Sequence, residues 1–384
     1  MPKKFDVIVV GGGLVGGVFA LDLAEQNPQL NIAIMEPTEQ VPEVRDDLDN
    51  RIYAIAPANV AYLKQLGVWP GEERIGTINT MDVSGDMDAN ILFERDVPRT
   101  LFLAKTVESK SLSARLYQRL HATLNITFIY DKLEHIVDQQ SHVELTTTKN
   151  DTYRASLIIG ADGANSVVRK MANLDTQVVD YQESGVVANF ACELPHSNTA
   201  YQWFKNDSVL AYLPLPGNKI SIVWSTANVA EMLALTDEYF AQLVAQASNY
   251  KLGKLTLLTK AAAFPLKMYL LDKVYANKIV LIGDAAHTIH PLAGQGVNLG
   301  FKDAKLLASV LGKCTSSQLG NSGVLAKYNA MRIINIRQMQ LTCHNLRRLF
   351  KSENFLISKI RNHGLNFINA SNFVKLKLAN VAAR

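Results

Sequence analysis

Three short stretches of the sequence combine glycines with acidic residues at the ends of apolar runs. In the first, FDVIVVGGGLVGGVFA, Gly11, Gly13 and Gly16 form a G-x-G-x-x-G pattern between a β-rich run and a helix-like segment. Glycines at this spacing permit a tight turn, an approach of backbone N–H groups to a pyrophosphate, and close helix–strand packing. Glu36 follows a second apolar run, where a carboxylate can accept hydrogen bonds from a ribose. This stretch predicts binding of a dinucleotide.

The same stretch follows two lysines and has to be distinguished from a secretion signal or a membrane span. Asp6, Asp22 and the glycines interrupt its apolar character, and each glycine costs a helix about 1 kcal/mol. The run is also shorter than the roughly 20 apolar residues that a span requires. Dinucleotide binding accounts for each of these features, so we favour it.

The second stretch, LIIGADGANSVVR, places Asp162, Ser166 and Arg169 after another buried strand. A turn at Asp162-Gly163 followed by a helix could present these side chains to a ligand. The alternative is a helix start at which Asp162 or Asn165 caps free backbone N–H groups.

The third stretch begins VLIGDAAH and continues as PLAGQGVNLG. Asp284 lies at the end of a buried strand, where it can accept a hydrogen bond from a polyol hydroxyl. The glycines of the loop let backbone amides approach a flat ring, and a helix from about Val297 favours negative charge at its start. A capped strand-to-helix turn is the alternative, but it leaves the glycines and Asn298 unexplained.

The elements that must position these stretches alternate between apolar strands and helices. Helical spacing is clear in residues 14–26, 57–66 and 109–121, and the chain beyond Gly300 is mostly helical. Residues 179–268 instead have the texture of β-hairpins. The fold class predicted is α/β with α+β elements: a Rossmann-like domain with a parallel sheet, an inserted β-rich domain and a C-terminal helical region.

Composition is that of a globular chain of two or three domains, with 384 residues, 48% hydrophobic and 19% charged. Cys192, Cys314 and Cys343 lack metal or redox spacing, so we expect no metal site and a reducing, cytoplasmic location. Residues 331–384 carry ten Lys or Arg and one acidic residue. This basic region suggests an anionic membrane surface or another protein as partner, and we expect no nucleic acid.

The three motifs in this order resemble those of FAD-dependent aromatic hydroxylases of the para-hydroxybenzoate hydroxylase fold. D162-G163-x-x-S166-x-x-R169 matches the second fingerprint of that group, and G283-D284-A-A-H287 matches the third. HPLAGQGVNLGFKDA at 290–304 and AYLPLP at 211–216 are similar to the aerobic ubiquinone-biosynthesis hydroxylases, which oxidise polyprenylphenols. The resemblance covers nearly the whole chain.

The resemblance implies FAD as cofactor and NAD(P)H as transient electron donor. It also implies that O2 adds to the reduced flavin and that the resulting hydroperoxide transfers oxygen to a phenol ring. Because this chemistry is carried by the flavin, no side chain is assigned as catalytic. The residues expected to contact FAD are Gly11, Gly13, Leu14, Val15, Gly16, Glu36, Arg51, Asp162, Asp284, Pro291, Gly294, Gly296, Val297 and Asn298.

The function predicted is hydroxylation of the aromatic ring of a polyprenylated phenol in ubiquinone biosynthesis. The alternatives are hydroxylation of a small soluble aromatic compound, or a flavin-binding subunit without catalysis in a biosynthetic complex. The domains predicted are an FAD-binding domain (1–75, 99–178 and 269–330), a β-rich substrate domain (76–98 and 179–268) and a basic helical region (331–384).

Three groups of side chains could either take part in the functional site or serve the structure alone. Tyr201, Trp203, Tyr212 and Trp224 are expected to line the substrate pocket, or else to form strand core. Arg51 is placed near the flavin by the resemblance, or else pairs with a nearby aspartate. His287 and His290 invite a role as general base near the flavin, but a hydrogen-bonded structural role is favoured for His287.

The family pattern is not matched everywhere. Family members usually place Arg or Asn against FAD near Ser109, where this chain reads Glu-Ser-Lys-Ser, and commonly have Arg before Phe204, where this chain has Trp203.

The C-terminal region is expected to bring the protein to its substrate. A polyprenyl chain buries many methylenes at about 0.8 kcal/mol each and stays in the bilayer. The apolar stripe is Ile336, Met339, Cys343, Leu346 and Leu349. Residues 332–350 either contact a membrane or pack on the body, and we favour membrane contact beyond Lys351. A peripheral position at the inner face of the membrane follows, with other ubiquinone-biosynthesis proteins as further partners.

Overall fold

The computed structural model describes residues 2–39, 41–44, 46–85, 89–95, 101–205, 208–290 and 296–351. Its strands are β1 (Lys3–Val10), β2 (Ile32–Glu36), β3 (Ile52–Ile55), β4 (Gly76–Ile78), β5 (Thr80–Ser84), β6 (Asn90–Glu94), β7 (Ala104–Glu108), β8 (Ile126–Tyr130), β9 (Leu133–Asp138), β10 (Val143–Thr147), β11 (Thr152–Gly160), β12 (Thr176–Cys192), β13 (Thr199–Phe204), β14 (Val209–Leu215), β15 (Lys219–Thr226), β16 (Leu255–Leu257), β17 (Ala262–Leu271), β18 (Tyr275–Ala276) and β19 (Ile279–Leu281). Its α-helices are α1 (Leu14–Gln26), α2 (Pro57–Gln65), α3 (Ser109–His121), α4 (Val167–Met171), α5 (Val229–Leu233), α6 (Asp237–Ala247), α7 (Gly296–Leu311) and α8 (Ser322–Lys351).

The first sheet has the order β18-β19-β11-β1-β2-β8, and its strands from β19 to β8 are parallel. Val7, Ile8 and Val9 of β1 are fully buried, as expected for a central strand covered on both faces. Antiparallel β10 and β9 extend this sheet from β11. The chain therefore has the α/β fold with the parallel sheet predicted from its sequence.

The second sheet is largely antiparallel and has the order β16-β12-β15-β14-β13-β5-β6, with β17 paired to β12. Helix α6 covers one face of it and buries Phe240 and Val244 against Phe190 and Ile222. A small third sheet contains β3, β7 and β4. β12 and β17 run through the predicted domain boundaries at 178/179 and 268/269, and the division into domains stays a prediction.

Helix α8 reaches both large sheets. Leu325, Tyr328 and Ile336 belong to the core of the parallel sheet, whereas Cys343 and Phe350 pack with residues of the second sheet. Within the predicted stripe, Ile336 and Cys343 are therefore buried against the body, and only Leu346 and Leu349 are moderately exposed. For residues 332–350 the packing alternative describes Ile336 and Cys343, whereas Leu346 and Leu349 are exposed, because the face that meets the sheets runs through Gln340 and Arg347 instead. The region after Lys351 lies outside the described residues.

No helix in the described part of the chain is both long enough and apolar enough to cross a bilayer.

Candidate functional site

The glycine-rich turn after β1 lies at the carboxyl edge of the parallel sheet, and its glycines differ in what surrounds them. Gly11 has a φ of +102°, and a Cβ there would lie 2.6 Å from the carbonyl carbon of Ala161. A Cβ on Gly16 would overlap the Gly11 carbonyl oxygen and lie 2.8 Å from the Ala161 Cβ. A Cβ on Gly13 would point into open space, with no atom of the described residues within 4 Å of it. The turn is thus tight at Gly11, closely packed at Gly16 and open at Gly13.

Glu36, the last residue of β2, lies beside this turn. Its Oε1 accepts a hydrogen bond from the Gly12 N–H, so one carboxylate oxygen already holds the turn in place. Burial raises the pKa of Glu36, and the Gly12 hydrogen bond opposes that rise. The side chain is half-buried, between the turn and solvent.

The turn after β11 contains Asp162, whose carboxylate caps helix α4. It accepts hydrogen bonds from Ser166 Oγ at 2.5 Å and from the N–H groups of Val167 and Val168 at 2.7 and 3.1 Å. The capping alternative raised from the sequence therefore describes this side chain. A contact of Asp162 with a ligand remains a prediction.

Arg169 connects the second motif to the third. Its guanidinium is buried and donates to the carbonyl oxygens of Ala164 at 2.7 Å and Ala285 at 2.8 Å. The Arg169 Cζ also lies 4.5 Å from the centre of the Tyr269 ring. Burial lowers the pKa of the guanidinium, and the tyrosine ring and Asp162 oppose that effect.

The third motif places Asp284 in a short 3-10 helix, Gly283–Ala285, directly after β19. The Asp284 side chain is solvent-exposed although protein surrounds it on several sides. The surrounding protein raises the pKa of Asp284, while His287 and Arg51 lower it. Val15 of α1 contacts this turn, because a Cβ on Gly283 would lie 3.1 Å from its Cγ1.

His287 lies behind this turn in a buried cluster around Asp303. The Asp303 carboxylate is 2.6 Å from His287 Nε2, accepts the Gly283 N–H at 2.9 Å and also binds Arg332. His287 and Asp303 are almost completely buried. His287 thus has the hydrogen-bonded structural role that the sequence favoured.

Arg51 lies near Asp284, since its charge affects the pKa of that carboxyl. Its guanidinium is exposed, and its Cζ is 5.7 Å from the centre of the Tyr53 ring. Among the described residues, Asp49 is not its salt-bridge partner but accepts the backbone N–H groups of Arg51 and Lys110, each at 3.0 Å. Asp49 thereby caps α3.

Tyr53 was missed by the sequence analysis. Burial raises its pKa, and the charges of Arg51 and Asp284 act on it, so it lies at the same place. Its position two residues after Arg51 in β3 was the available signal.

The segment after the third motif is described only in part. Pro291 and Gly294 lie outside the described residues, whereas Gly296 begins α7 and Val297 is half-buried. The Asn298 side chain accepts the Ala56 N–H at 2.9 Å and donates to the Ala54 carbonyl at 2.7 Å. Its amide therefore ties α7 to β3, and a contact of Asn298 with FAD stays a prediction.

The aromatic residues predicted to line the substrate pocket share one face of the second sheet. Tyr201, Trp203, Tyr212 and Trp224 all lie on the face of the second sheet that packs against α5 and α6. Tyr212 donates its hydroxyl to the Val244 carbonyl of α6 at 2.9 Å. The strand-core alternative describes Tyr212 and Trp224, which are buried, while Tyr201 and Trp203 are half-buried; a role of these residues in lining the substrate pocket stays a prediction.

The opposite face of the same sheet is directed towards the loop that carries Arg51. Asn189 on this face donates from Nδ2 to the Asp49 carbonyl at 2.9 Å. Val187, two residues before Asn189 in β12, pairs across the sheet with Val223 of β15, and Val223 pairs with Ala211 of β14. All three are half-buried. Strand side chains alternate between the two faces of a sheet. Ala211 and Val223 directly precede Tyr212 and Trp224 in sequence, so they lie on the face opposite to the aromatic residues.

The three motif turns meet at one edge of the parallel sheet. Backbone hydrogen bonds continue past the strand ends from Gly11 N to the Met35 carbonyl (2.9 Å), from Ala161 N to the Val10 carbonyl (2.8 Å) and from Ile282 N to the Gly160 carbonyl (3.0 Å). The carboxyl edge of an open parallel sheet is where such folds bind ligands. Glu36, Asp162 and Asp284 all lie along it.

Comparisons with known proteins agree with this geometry. A family model described as an FAD binding domain matches residues 4–340. The 3-demethoxyubiquinol 3-hydroxylase of Escherichia coli is 35% identical, over 87% of this chain and 87% of that protein. A mitochondrial ubiquinone biosynthesis monooxygenase of Drosophila melanogaster is 30% identical, over 94% of this chain and 86% of that protein. The crystal structure of p-nitrophenol 4-monooxygenase from Pseudomonas putida superposes with a TM-score of 0.79 at 16% identity, covering 100% of this chain and 99% of that one, which shows the shared fold.

The fold and its three converging turns are those of an FAD-binding monooxygenase. Within that class, the chain belongs to the family of FAD-dependent hydroxylases of ubiquinone biosynthesis.

Proposed function

We propose that this protein uses FAD, NAD(P)H and O2 to hydroxylate the aromatic ring of a polyprenylated phenol in ubiquinone biosynthesis. The observation that carries the proposal is the meeting of the three motif turns at one carboxyl edge, joined by the hydrogen bonds of Gly11, Ala161 and Ile282. The names of the relatives supply the pathway, since they are ubiquinone-pathway hydroxylases and monooxygenases.

The residues at this edge fit FAD in chemistry and in space. The open surroundings of Gly13, at the start of α1, suit a pyrophosphate approaching backbone N–H groups and a helix N-terminus. Glu36 has a second carboxylate oxygen for ribose hydroxyls, and the exposed Asp284 carboxylate suits the ribityl hydroxyls. When bound, FAD supplies electron transfer from NAD(P)H and oxygen transfer to the ring.

The substrate ring is assigned to the sheet face of Val187, Ala211 and Val223. These three side chains are apolar and half-buried, buried Asn189, Ser221 and Gln202 flank them on the same face, and the face is directed towards the loop of Arg51. Apolar side chains there would exclude water from the reacting ring, which oxygen transfer requires. The exposed guanidinium of Arg51 would orient polar groups at the mouth of the same cleft.

A polyprenylated substrate also requires contact with a membrane, and we assign this to the basic region after Lys351, at the cytoplasmic face. The support is its charge together with an exposed apolar surface on α8, formed by Met331, Ile334 and Leu341. Each basic residue near an anionic surface contributes about 1 kcal/mol. Flotation on anionic, but not on zwitterionic, vesicles would support this assignment, and equal behaviour on both would contradict it.

The test of the catalytic proposal is quinone profiling by mass spectrometry in cells that carry Asp284→Ala in place of the wild-type chain. A prenylated intermediate that lacks one oxygen atom should accumulate. Asp272→Ala is the matched control, because Asp272 is also an exposed aspartate and pairs only with Arg337 on the surface in the described structure. Full ubiquinone production with Asp284→Ala would indicate a non-catalytic flavin-binding subunit. Stimulation of NAD(P)H oxidation by soluble phenols but not by prenylated ones would indicate a small soluble substrate.

A further inference from the structure

Helix α8 contacts the segment that follows Asp284 through polar side chains on one face. Arg332 binds Asp303, which in turn holds His287. Two turns further along, Gln340 donates to the Thr288 carbonyl at 3.2 Å and to the Tyr269 carbonyl at 2.7 Å. The third such side chain, again two turns later, is Arg347.

Arg347 forms a buried ion pair with Glu183 beneath His290. Its Nε donates to Glu183 Oε2 at 3.0 Å, and its Nη2 binds the other carboxylate oxygen. His290 Nε2 lies 3.6 Å from Glu183 Oε2. Glu183, Arg347 and His290 are 5%, 2% and 1% exposed, and within the described structure neither ring nitrogen of His290 has a hydrogen-bond partner. The Glu183 carboxylate is thus the polar group that lies next to the His290 imidazole.

A β-bulge directs Glu183 into this position. The register between β12 and β17 shifts between Asp180 and Ser184, and Gln182 within the bulge has a φ of +54°. Bulges of this kind re-aim side chains and are common beside active sites.

Attachment of α8 does not depend on this ion pair. Phe350 stacks on Phe204 of the second sheet with ring centres 4.0 Å apart, and Cys343 and Val209 complete an apolar cluster there. A buried ion pair generally adds little net stability compared with apolar residues of similar volume. The directional hydrogen bonds between Arg347 and Glu183 instead fix the position of the His290 ring beside the carboxylate.

We propose that Glu183 and Arg347 are positioning residues for the flavin site, which they serve by holding His290 and with it the main chain that follows Asp284. The inference rests on the proposed function only in taking that edge of the sheet as the FAD site. Loss of the pair should release the backbone next to the third motif while leaving the rest of the site in place. FAD affinity and the flavin absorption spectrum should therefore change before the fold does.

The experiment compares Arg347→Gln with Arg337→Gln in the full chain. Arg337 lies on the same helix and pairs with Asp272 at 2.7 Å, but on the exposed side. The dissociation constant for FAD, measured by fluorescence well below the unfolding temperature, should rise roughly 3- to 30-fold for Arg347→Gln. The visible flavin spectrum should shift as well, and Arg337→Gln should match the wild type in both. Wild-type FAD affinity and spectrum in a folded Arg347→Gln protein would overturn the proposal.

Two further variants keep the test decisive if Arg347→Gln folds poorly. Glu183→Gln combined with Arg347→Gln leaves no lone buried charge, and it should still weaken FAD binding. His290→Asn should weaken FAD binding too, and its combination with Arg347→Gln should add little, because both act through one contact. If the losses in FAD binding free energy caused by His290→Asn and by Arg347→Gln add fully in the double variant, the proposal is overturned. A protein that passes these tests and hydroxylates no phenol would refute the proposed function alone.

Discussion

Arg169 donates a 2.8 Å hydrogen bond to the carbonyl oxygen of Ala285, the residue that follows Asp284, and so fixes the second motif turn against the third. The two residues are 116 positions apart in the sequence. The same guanidinium binds the Ala164 carbonyl of its own turn, so one buried side chain sets the spacing of two loops.

Arg169→Leu should therefore destabilise the protein by about 3 kcal/mol, because it removes the donor from the buried Ala285 carbonyl and from the partly buried Ala164 carbonyl. Urea unfolding monitored by circular dichroism measures this loss. Arg154→Leu is the control, since Arg154 pairs with Glu144 at a more exposed site and should cost no more than about 1 kcal/mol. Equal losses for the two variants would show that Arg169 does not hold the turns together.

Gly13→Val separates cofactor binding from folding. The position is open and its φ is −60°, which valine can adopt, so the fold should persist while flavin content falls because the side chain occupies the phosphate approach. Gly16→Val should instead cost about 3 kcal/mol or more, since its side chain would overlap Gly11 and Ala161. Flavin absorbance per protein and the unfolding midpoint distinguish the two effects. A stoichiometric flavin content in Gly13→Val would refute the assigned phosphate site.

Adjacent residues of β14 test which face of the second sheet meets the substrate. Ala211→Phe should leave the unfolding midpoint nearly unchanged but lower kcat/KM for a prenylated phenol roughly tenfold or more, because it fills the cleft. Tyr212→Ala should cost about 4 kcal/mol, since it empties a packed core and removes the hydrogen bond to Val244. Unchanged turnover in Ala211→Phe would place the substrate elsewhere.

Glu183 should contribute to the pH dependence of stability. Burial alone would raise its pKa, but contacts with His290 and Arg347 outweigh this and lower the pKa from 4.5 to about 2. A carboxyl with a lowered pKa in the folded state stabilises the protein above its unfolded pKa, and that contribution disappears as the pH falls towards 2. The difference in unfolding free energy between wild type and Glu183→Gln should therefore be largest near pH 6 and shrink at pH 3. A difference independent of pH would contradict this ion pair.

Local sequence pattern predicted the elements around the site well. Helices α1 and α3 have the bounds expected from their apolar spacing, and Gly67 ends α2 with a positive φ. The motif turns meet at one edge because parallel strands end on the same side of a sheet.

Contacts that depend on strand phase could not be predicted in this way. A large aromatic residue such as Tyr212 can be accommodated on either face of a strand, so residue type alone did not reveal the side. Glu183 and Arg347 are 164 residues apart, and a bulge with no clear sequence signal brings them together. In α8 the predicted stripe includes the buried Ile336 and Cys343 but also the exposed Leu346 and Leu349, since which face of the helix is covered depends on distant strands.

The crossing of α8 over both sheets has a consequence for how the chain matures. Leu325, Tyr328 and Ile336 complete a core whose other members begin at Val7, so the parallel sheet keeps an uncovered apolar flank until this helix has left the ribosome. A nascent chain halted before Ser322 should accordingly aggregate or recruit chaperones even though every flavin motif has already been synthesised.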